Sequence, residues 1–537
     1  MAEDHTRQPD AAHPAALRRT RRARWPLAGV LAGGLIAGMT GVAFANHADN
    51  SQSGPVPIAS GSPVWHDPQP VDGVGGSAAG GSAPRSAGPI IRSSGSPSQD
   101  AGAQGGSAQG GSAPSLAAPG GPGGSGGSGG PPGGSGGTGG PGGPGGPGGP
   151  GGPGAPGGQS TPVACDPNAL ISALTVANAG TGGTLSLASK CTYTLTAVSA
   201  PPSSSLGDGL PVIIQPITII GNDATIVRGA NAGAFRIFDV ANGGSLTAQN
   251  LTVAGGQDSA TSPNGAGIRI QTGGNAFLTH VTVRGNQAVA GNGGGIDNAG
   301  VAIVNDSAFT ANSASADGGG VRNTGFLGVT NSTFTGNSAV RGGGVFNGGG
   351  LELTDSTLSH NQASGQGGGL FVDAPAITAT VSHSDISGNN ANNGGGIFSQ
   401  GVLLLNNNTT VTGNFASGSG AGIFNTGPLT VNDSKITGNT SRGSGGGLTN
   451  VGGNVVLRRT EISGNTTTLA GSQGAGITTN PGTLALFASQ VSNNTSPAAP
   501  GGINSALTAL TIDNLSAVAG NRPANCQGNT PIANCFG

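Results

Sequence analysis

An asparagine recurs through the second half of the chain, at Asn286, Asn312, Asn337, Asn361, Asn389, Asn414, Asn439, Asn465, Asn494 and Asn521. The mean step is about 26 residues, a period at which each repeat hides its apolar face only against its neighbours. Every copy is a variant of GGGIDNAGVAIVNDSAFTAN, Gly293 to Asn312, and the variants run from about Gly265 to Asn521. The chain therefore contains a solenoid.

Apolar residues within a repeat stand two apart, as in Leu351 and Leu353, Leu429 and Val431, or Val455 and Leu457, which is strand periodicity. A second apolar column stands three residues before each asparagine, from Val283, Phe309 and Phe334 to Val518. A third follows the glycine-rich run, from Ile268, Ile296 and Val321 to Ile503. Three short strands per turn, separated by Gly, Asn, Asp and Ser, describe an all-β fold, a coil of parallel β-helix. Stacked at about 4.8 Å, the coils turn each column into lateral neighbours of a parallel sheet.

With 109 Gly, 36 Pro and 8% charged residues, the chain is neither an ordinary globular enzyme nor a polyelectrolyte. A net charge of −2 supplies no attraction for nucleic acid. Four cysteines bracket the repeats, and their positions favour Cys165 with Cys191 and Cys526 with Cys535. Such bonds belong to an oxidising, extracytoplasmic compartment.

The first 45 residues agree. Arg18, Arg19, Arg21, Arg22 and Arg24 precede an uncharged stretch from Trp25 to Ala45, and Ala43, Phe44 and Ala45 form an A-x-A site. This is an export signal, either a cleaved peptide or, because Leu27 to Phe44 is long enough to span, an uncut membrane anchor. Membrane contact is expected through this segment alone, and both general and twin-arginine export stay open. Residues 46–162 are a linker rich in Gly, Pro and Ser, too poor in apolar surface to fold. The triplets between Pro141 and Pro153 invite a collagen-like reading, but two glycines per triplet and the break at Pro131 and Pro132 favour a flexible tether.

The folded domain, 163–537, is expected to open with a helix capped by Asp166, begun by Pro167 and ended near Gly180, with Leu170, Ile171, Leu174 and Ala177 on one face. Such a helix would cover the open edge of the first coil. Strand-like runs VIIQPITII, ATIVRG, FRIFDV and SLTAQNLTV then read as irregular early coils.

The pairing of GGGI-type and FxxN-type elements, as in Phe309 to Asn312 and Phe334 to Asn337, resembles the repeat of chlamydial polymorphic outer membrane proteins. The wider layout of signal, Gly/Pro tether, Cys-bracketed cap, FRIFDV, GGGI coils and Cys-bounded tail resembles secreted right-handed parallel β-helix proteins of actinobacteria, with a pectate-lyase-like solenoid. What the resemblance implies is a secreted or surface β-helix with an adhesive role. The alternating strands and aromatic girdles of an autotransporter barrel are missing from the sequence, so autotransport is not expected.

The competing reading is a polysaccharide lyase or glycoside hydrolase, which needs paired carboxylates facing one bond. The acids from Asp239 to Asp513 fall mostly one per coil. Six residues before each asparagine stand His280, Asp306, Asn331, Asp355, His383, Asn408, Asp433 and Arg459. Turn chemistry explains that column better than catalysis, because residue type varies while left-handed backbone and self-bonding are kept. His280 and His383 lie four coils apart, too far to share a metal. The recurring asparagines read as a stacked amide ladder, and the glycine triplets, with no Lys following, as tight coil contacts rather than a phosphate loop. Trp25 and Trp65 precede the domain and Tyr193 is the lone tyrosine, which leaves few rings for sugar stacking.

One column remains. Phe346, Phe371, Phe398 and Phe424 each follow an inward aliphatic residue and are expected to point outward, as an exposed aromatic stripe about 14 Å long. Stacked rings stabilise a sheet by themselves, and an exposed stripe would also bind a surface glycan, a protein ligand or a second copy. The sequence thus leads to a secreted or surface-anchored, non-enzymatic β-helix with no cofactor.

Overall fold

The computed structural model describes residues 160–199, 207–258, 264–374, 377–506, 508–528 and 531–536. The signal segment 1–45, all but the end of linker 46–162, and both tryptophans lie outside the described residues. Those described form a right-handed parallel β-solenoid of about 14 turns. Among them no helix is long and apolar enough to cross a membrane.

Each regular coil carries four strands rather than three. In one coil these are Phe326–Thr330, Thr333–Thr335, Ser338–Arg341 and Val345–Asn347. The extra strand follows the asparagine and belongs to a parallel eight-stranded sheet, with small inward residues such as Ala288, Ala314 and Ala339. The inward aliphatic that starts each last strand joins a twelve-stranded sheet, Ile268 pairing with Ile296 and Ile296 with Val321. The first two faces form one 24-stranded sheet. They are continuous because in early coils a single strand turns the corner, as in Ser245–Ala254 and Asn275–Arg284. From the next coil the strand divides at Asp306, into Val301–Asn305 and Ala308–Thr310.

All three apolar columns point inward and are buried, with Phe309 stacked on Phe334 at 4.6 Å between ring centres. Each such side chain contributes about 1.5–3 kcal/mol by leaving water. That gain accrues only when the next coil is in place, which makes stacking self-reinforcing.

The corners explain the polar columns. His280, Asp306, Asn331, Asp355, His383, Asn408, Asp433 and Arg459 all have φ between 47° and 60°. They are left-handed turn residues, as the free exchange of residue type implies. The Ser or Thr that follows each of them except His280 completes the corner. Ser307 Oγ accepts from the Val281 N–H at 3.0 Å and donates to the Asn305 carbonyl at 2.7 Å, and Ser332 repeats this one coil on.

The recurring asparagines line up on one axis. Asn312 Nδ2 donates to Asn337 Oδ1 at 3.0 Å and to the Val283 carbonyl at 2.9 Å, while its N–H donates to the same Oδ1 at 3.0 Å. The pattern recurs from Asn286 to Asn494, and Asn521 closes it on Asn525. All ten are buried, so each amide satisfies backbone groups that would otherwise be orphaned at the corner.

The ends are closed as the sequence implies. Helix Pro167–Ala179 has Asp166 as its cap, accepting from the Asn168 N–H at 3.1 Å, and buries Leu170, Leu174 and Ala177. Its Asn178 ties down the segment on either side of Ile213, donating to the Val212 carbonyl at 2.9 Å and accepting from the Ile214 N–H at 3.1 Å. Cys165 is bonded to Cys191 and Cys526 to Cys535. Tyr193 is fully buried and ties the Ala188 N–H to the Val163 carbonyl, a structural use of the ring.

Candidate functional site

The outward column of the twelve-stranded sheet holds the most varied chemistry in the solenoid. Register places Asp239, Arg269, Asp297 and Arg322 on successive strands, followed by Phe346, Phe371, Phe398 and Phe424. Thr449 and Thr478 continue it.

The expected aromatic stripe forms but is not exposed. Ring centres lie 5.1, 5.2 and 5.0 Å apart with planes within 6° of parallel. Phe346, Phe371 and Phe398 are only 3%, 0% and 3% exposed, and Phe424 is half-buried. The cause lies in the glycine-rich bends. Gly342, Gly367, Gly394 and Gly420 have φ of 63–66° and bring the bend down onto the phenylalanine four residues on. A Cβ on Gly342 would lie 2.7 Å from the Phe346 Cα, and one on Gly367 2.9 Å from the Phe371 Cβ. Arg341 closes over the furrow, with its guanidinium 4.9 and 5.1 Å from the Phe346 and Phe371 ring centres. Asp317 fixes that guanidinium through two bonds of 2.8 Å, which holds the Arg341 pKa above its usual value. A ligand cannot lie on these three faces while the bends are in place.

Of the charged half of the column, the sequence places Arg322 in line with the rings at one end, and the charges beyond it were missed. Its acids are spread one per coil along the chain, yet stacking gathers them. Arg269 grips Asp239 at 3.0 and 2.5 Å, and Gln271 donates to both Asp239 oxygens at 3.0 Å. Arg322 bonds Asp297 at 2.8 Å, and the next layer adds a buried pair, Arg236 with Asp208 at 2.7 Å. Burial drives the Asp208 carboxyl up to about 6 against the opposing pull of Arg236, and raises Asp297 against its bond to Arg322. Burial likewise lowers the Arg236 guanidinium.

Two carboxylates thus share a column, but Arg269 stands between them. The Asp239 side chain is 1% exposed and that of Asp297 8%. A glycosidic oxygen needs a carboxyl it can touch on each side of the bond. Among the described residues no three His, Cys, Asp or Glu gather as a metal site.

Solved structures similar to this chain include two A-modules from one organism. The A-module of mannuronan C-5 epimerase AlgE6 from Azotobacter vinelandii superposes with a TM-score of 0.31 at 16% identity, over 68% of this chain and 96% of the other. The A-module of AlgE4 from the same organism gives 0.26 at 16% identity, over 66% and 95%. Likeness at this level leaves the fold to rest on the strand pairing itself. No protein-family model matches the chain, so the likeness to polymorphic outer membrane repeats stays one of pattern. No curated protein matches it either.

A second amide ladder was also missed. Asn298 donates to Asn323 and Asn323 to Asn347, each at 2.7 Å, and Asn425 donates to Asn450 at 2.9 Å. Its signal was present in the triplets IDN, VRN, VFN, IFN and LTN, two residues after the third-column aliphatic.

Proposed function

We propose that this chain is an extracytoplasmic β-helix, secreted or displayed at the cell surface, that acts as an adhesive or structural element and not as an enzyme. On this reading residues 1–45 export or anchor it, 46–162 tether it, and 163–537 are presented outside. The observation that carries the proposal is the fate of the gathered acids. Asp208, Asp239 and Asp297 are covered and tied to arginines, so the chemistry of the column is spent inside the coil stack. Disulfides at both ends of the solenoid support an oxidising destination.

Protease treatment of intact producing cells tests the display. The domain should be cut from its tether and recovered in the medium while a cytoplasmic marker stays whole; co-retention with that marker overturns the reading.

The competing polysaccharide lyase or hydrolase draws on one observation, the raised carboxyls of Asp208 and Asp297, since a carboxyl that keeps its proton is what a general acid requires. Release of reducing ends or unsaturated sugars from a polysaccharide panel, abolished by Asp297→Asn, would replace the adhesive reading with that one.

A further inference from the structure

A hollow of about 520 Å³ opens on the first face, where coils of different length meet. Its sides come from three successive coils. Thr324, Gly325 and Phe326 lie on one side, Gly348 to Glu352 form the floor, and Ile377, Thr378 and Thr380 stand opposite. The floor is backbone because the middle coil places three glycines together. A Cβ on Gly349 would collide with the Gly325 carbonyl oxygen, and one on Gly350 would lie 3.1 Å from the Phe326 ring. The half-buried Phe326 ring therefore lies against Gly350, its register partner. Ile377, 73% exposed, rises from the longer third coil.

One ionisable group lines the hollow. Glu352 points outward and is exposed, in register with Gly328 on one side and Thr380 on the other. Gly328 has no side chain, so one flank of the carboxylate is open. On the same column Phe277 and Ile303 extend an apolar strip toward the N-terminal coils. Among the described residues no Lys, Arg or His lines the hollow.

We infer that this hollow is a binding subsite for a neutral or amino hexose within a glycan. A volume of this size suits one or two sugar rings, and small-ligand sites combine an apolar lining with a few placed polar groups. A pyranose has a C–H face and a rim of hydroxyl donors. Phe326 offers a surface for the first, and Glu352 accepts from the second or pairs with a free amino group. A uronic acid is disfavoured, because its carboxylate would meet Glu352 with no cation in the lining to offset the repulsion. The biological use of the subsite rests on the adhesive reading, while the contact itself is independent of where the chain is displayed.

The test is retention of the full chain on an array of neutral, N-acetylated, free-amino and uronate oligosaccharides. Neutral and amino sugars should bind and uronates should not. Glu352→Gln should weaken binding about tenfold or more, most for free-amino sugars, with an unchanged melting temperature because the side chain is exposed. Phe326→Ala should weaken all classes alike. Failure to retain any sugar, a preference for uronates, or undiminished binding by a folded Glu352→Gln chain would overturn the subsite and leave Phe326 as a cover for Gly350. Sugar binding by a chain that cells keep from protease would instead sink the display reading and leave the subsite standing.

Discussion

The amide column from Asn286 to Asn521 and the outward column from Asp239 to Thr478 climb the same solenoid under opposite rules. The first keeps one residue type for ten coils. The second passes through alternating charge, four aromatic rings and hydroxyls. Both are largely buried, so burial alone does not explain the difference. The asparagine must accept from a backbone N–H and a neighbouring amide while donating to a carbonyl, and a primary amide of that length meets all three demands. Short of its hydroxyl end, where Thr449 donates to the Ser444 carbonyl at 3.1 Å and Thr478 to the Gln473 carbonyl at 3.0 Å, the outward column has no backbone group to serve. It needs only that each side chain suit the one above and below, and Asp on Arg or Phe on Phe answers equally well. A buried column is uniform when it answers to the backbone and free to vary when it answers to itself.

Breaking the amide column should cost most. Asn389→Leu removes the acceptor of the Asn361 N–H and Nδ2 and the donor to the Leu358 carbonyl. Several orphaned groups imply a loss on the order of 5 kcal/mol, read from denaturant unfolding, with hydrogen exchange accelerated first at Asn361. An unchanged unfolding midpoint would remove the argument for uniformity.

The aromatic stretch should be somewhat more forgiving. Phe398→Ala should cost about 3–5 kcal/mol as a cavity, whereas Phe398→Leu, which keeps an apolar stack, should cost less than half as much. Equal losses would mean that ring stacking, not self-complementarity, sets the column.

The charged stretch adds a pH dependence. The folded Asp208 pKa is about 6 against an ordinary 3.8, so its proton is held more tightly in the folded state. Its contribution is fully present below pH 3.8 and is lost as pH rises through 6, a change on the order of 3 kcal/mol. Asp208→Asn should flatten the stability profile across that window, as melting temperatures at successive pH values would record.

Least affected should be the exposed pair on the second face. Lys435 and Glu461 bond at 2.9 Å across adjacent coils, with the lysine side chain 60% exposed. Lys435→Ala should cost less than about 1 kcal/mol, and less still in high salt. A larger loss would show that the outer surface takes part in holding the coils together.

Much of this molecule is legible in one dimension because the repeat writes each column many times. The aliphatic positions, the left-handed corners, the amide ladder, the helical cap and both disulfides follow from spacing and residue type, since each either recurs at the same place in every coil or closes an end of the stack. Tertiary structure alone decided which outward residues water reaches. The sequence places Phe346, Phe371 and Phe398 outward, and only the path of the glycine bends shows them covered. It also decided which charges meet. Asp239 and Arg269 are 30 residues apart, so their pairing depends on the length of an intervening coil. Residue type sets what a position can do, whereas contact between coils is set by register, which ladder steps of 24 to 29 residues keep alike because the extra residues are taken up between the strands.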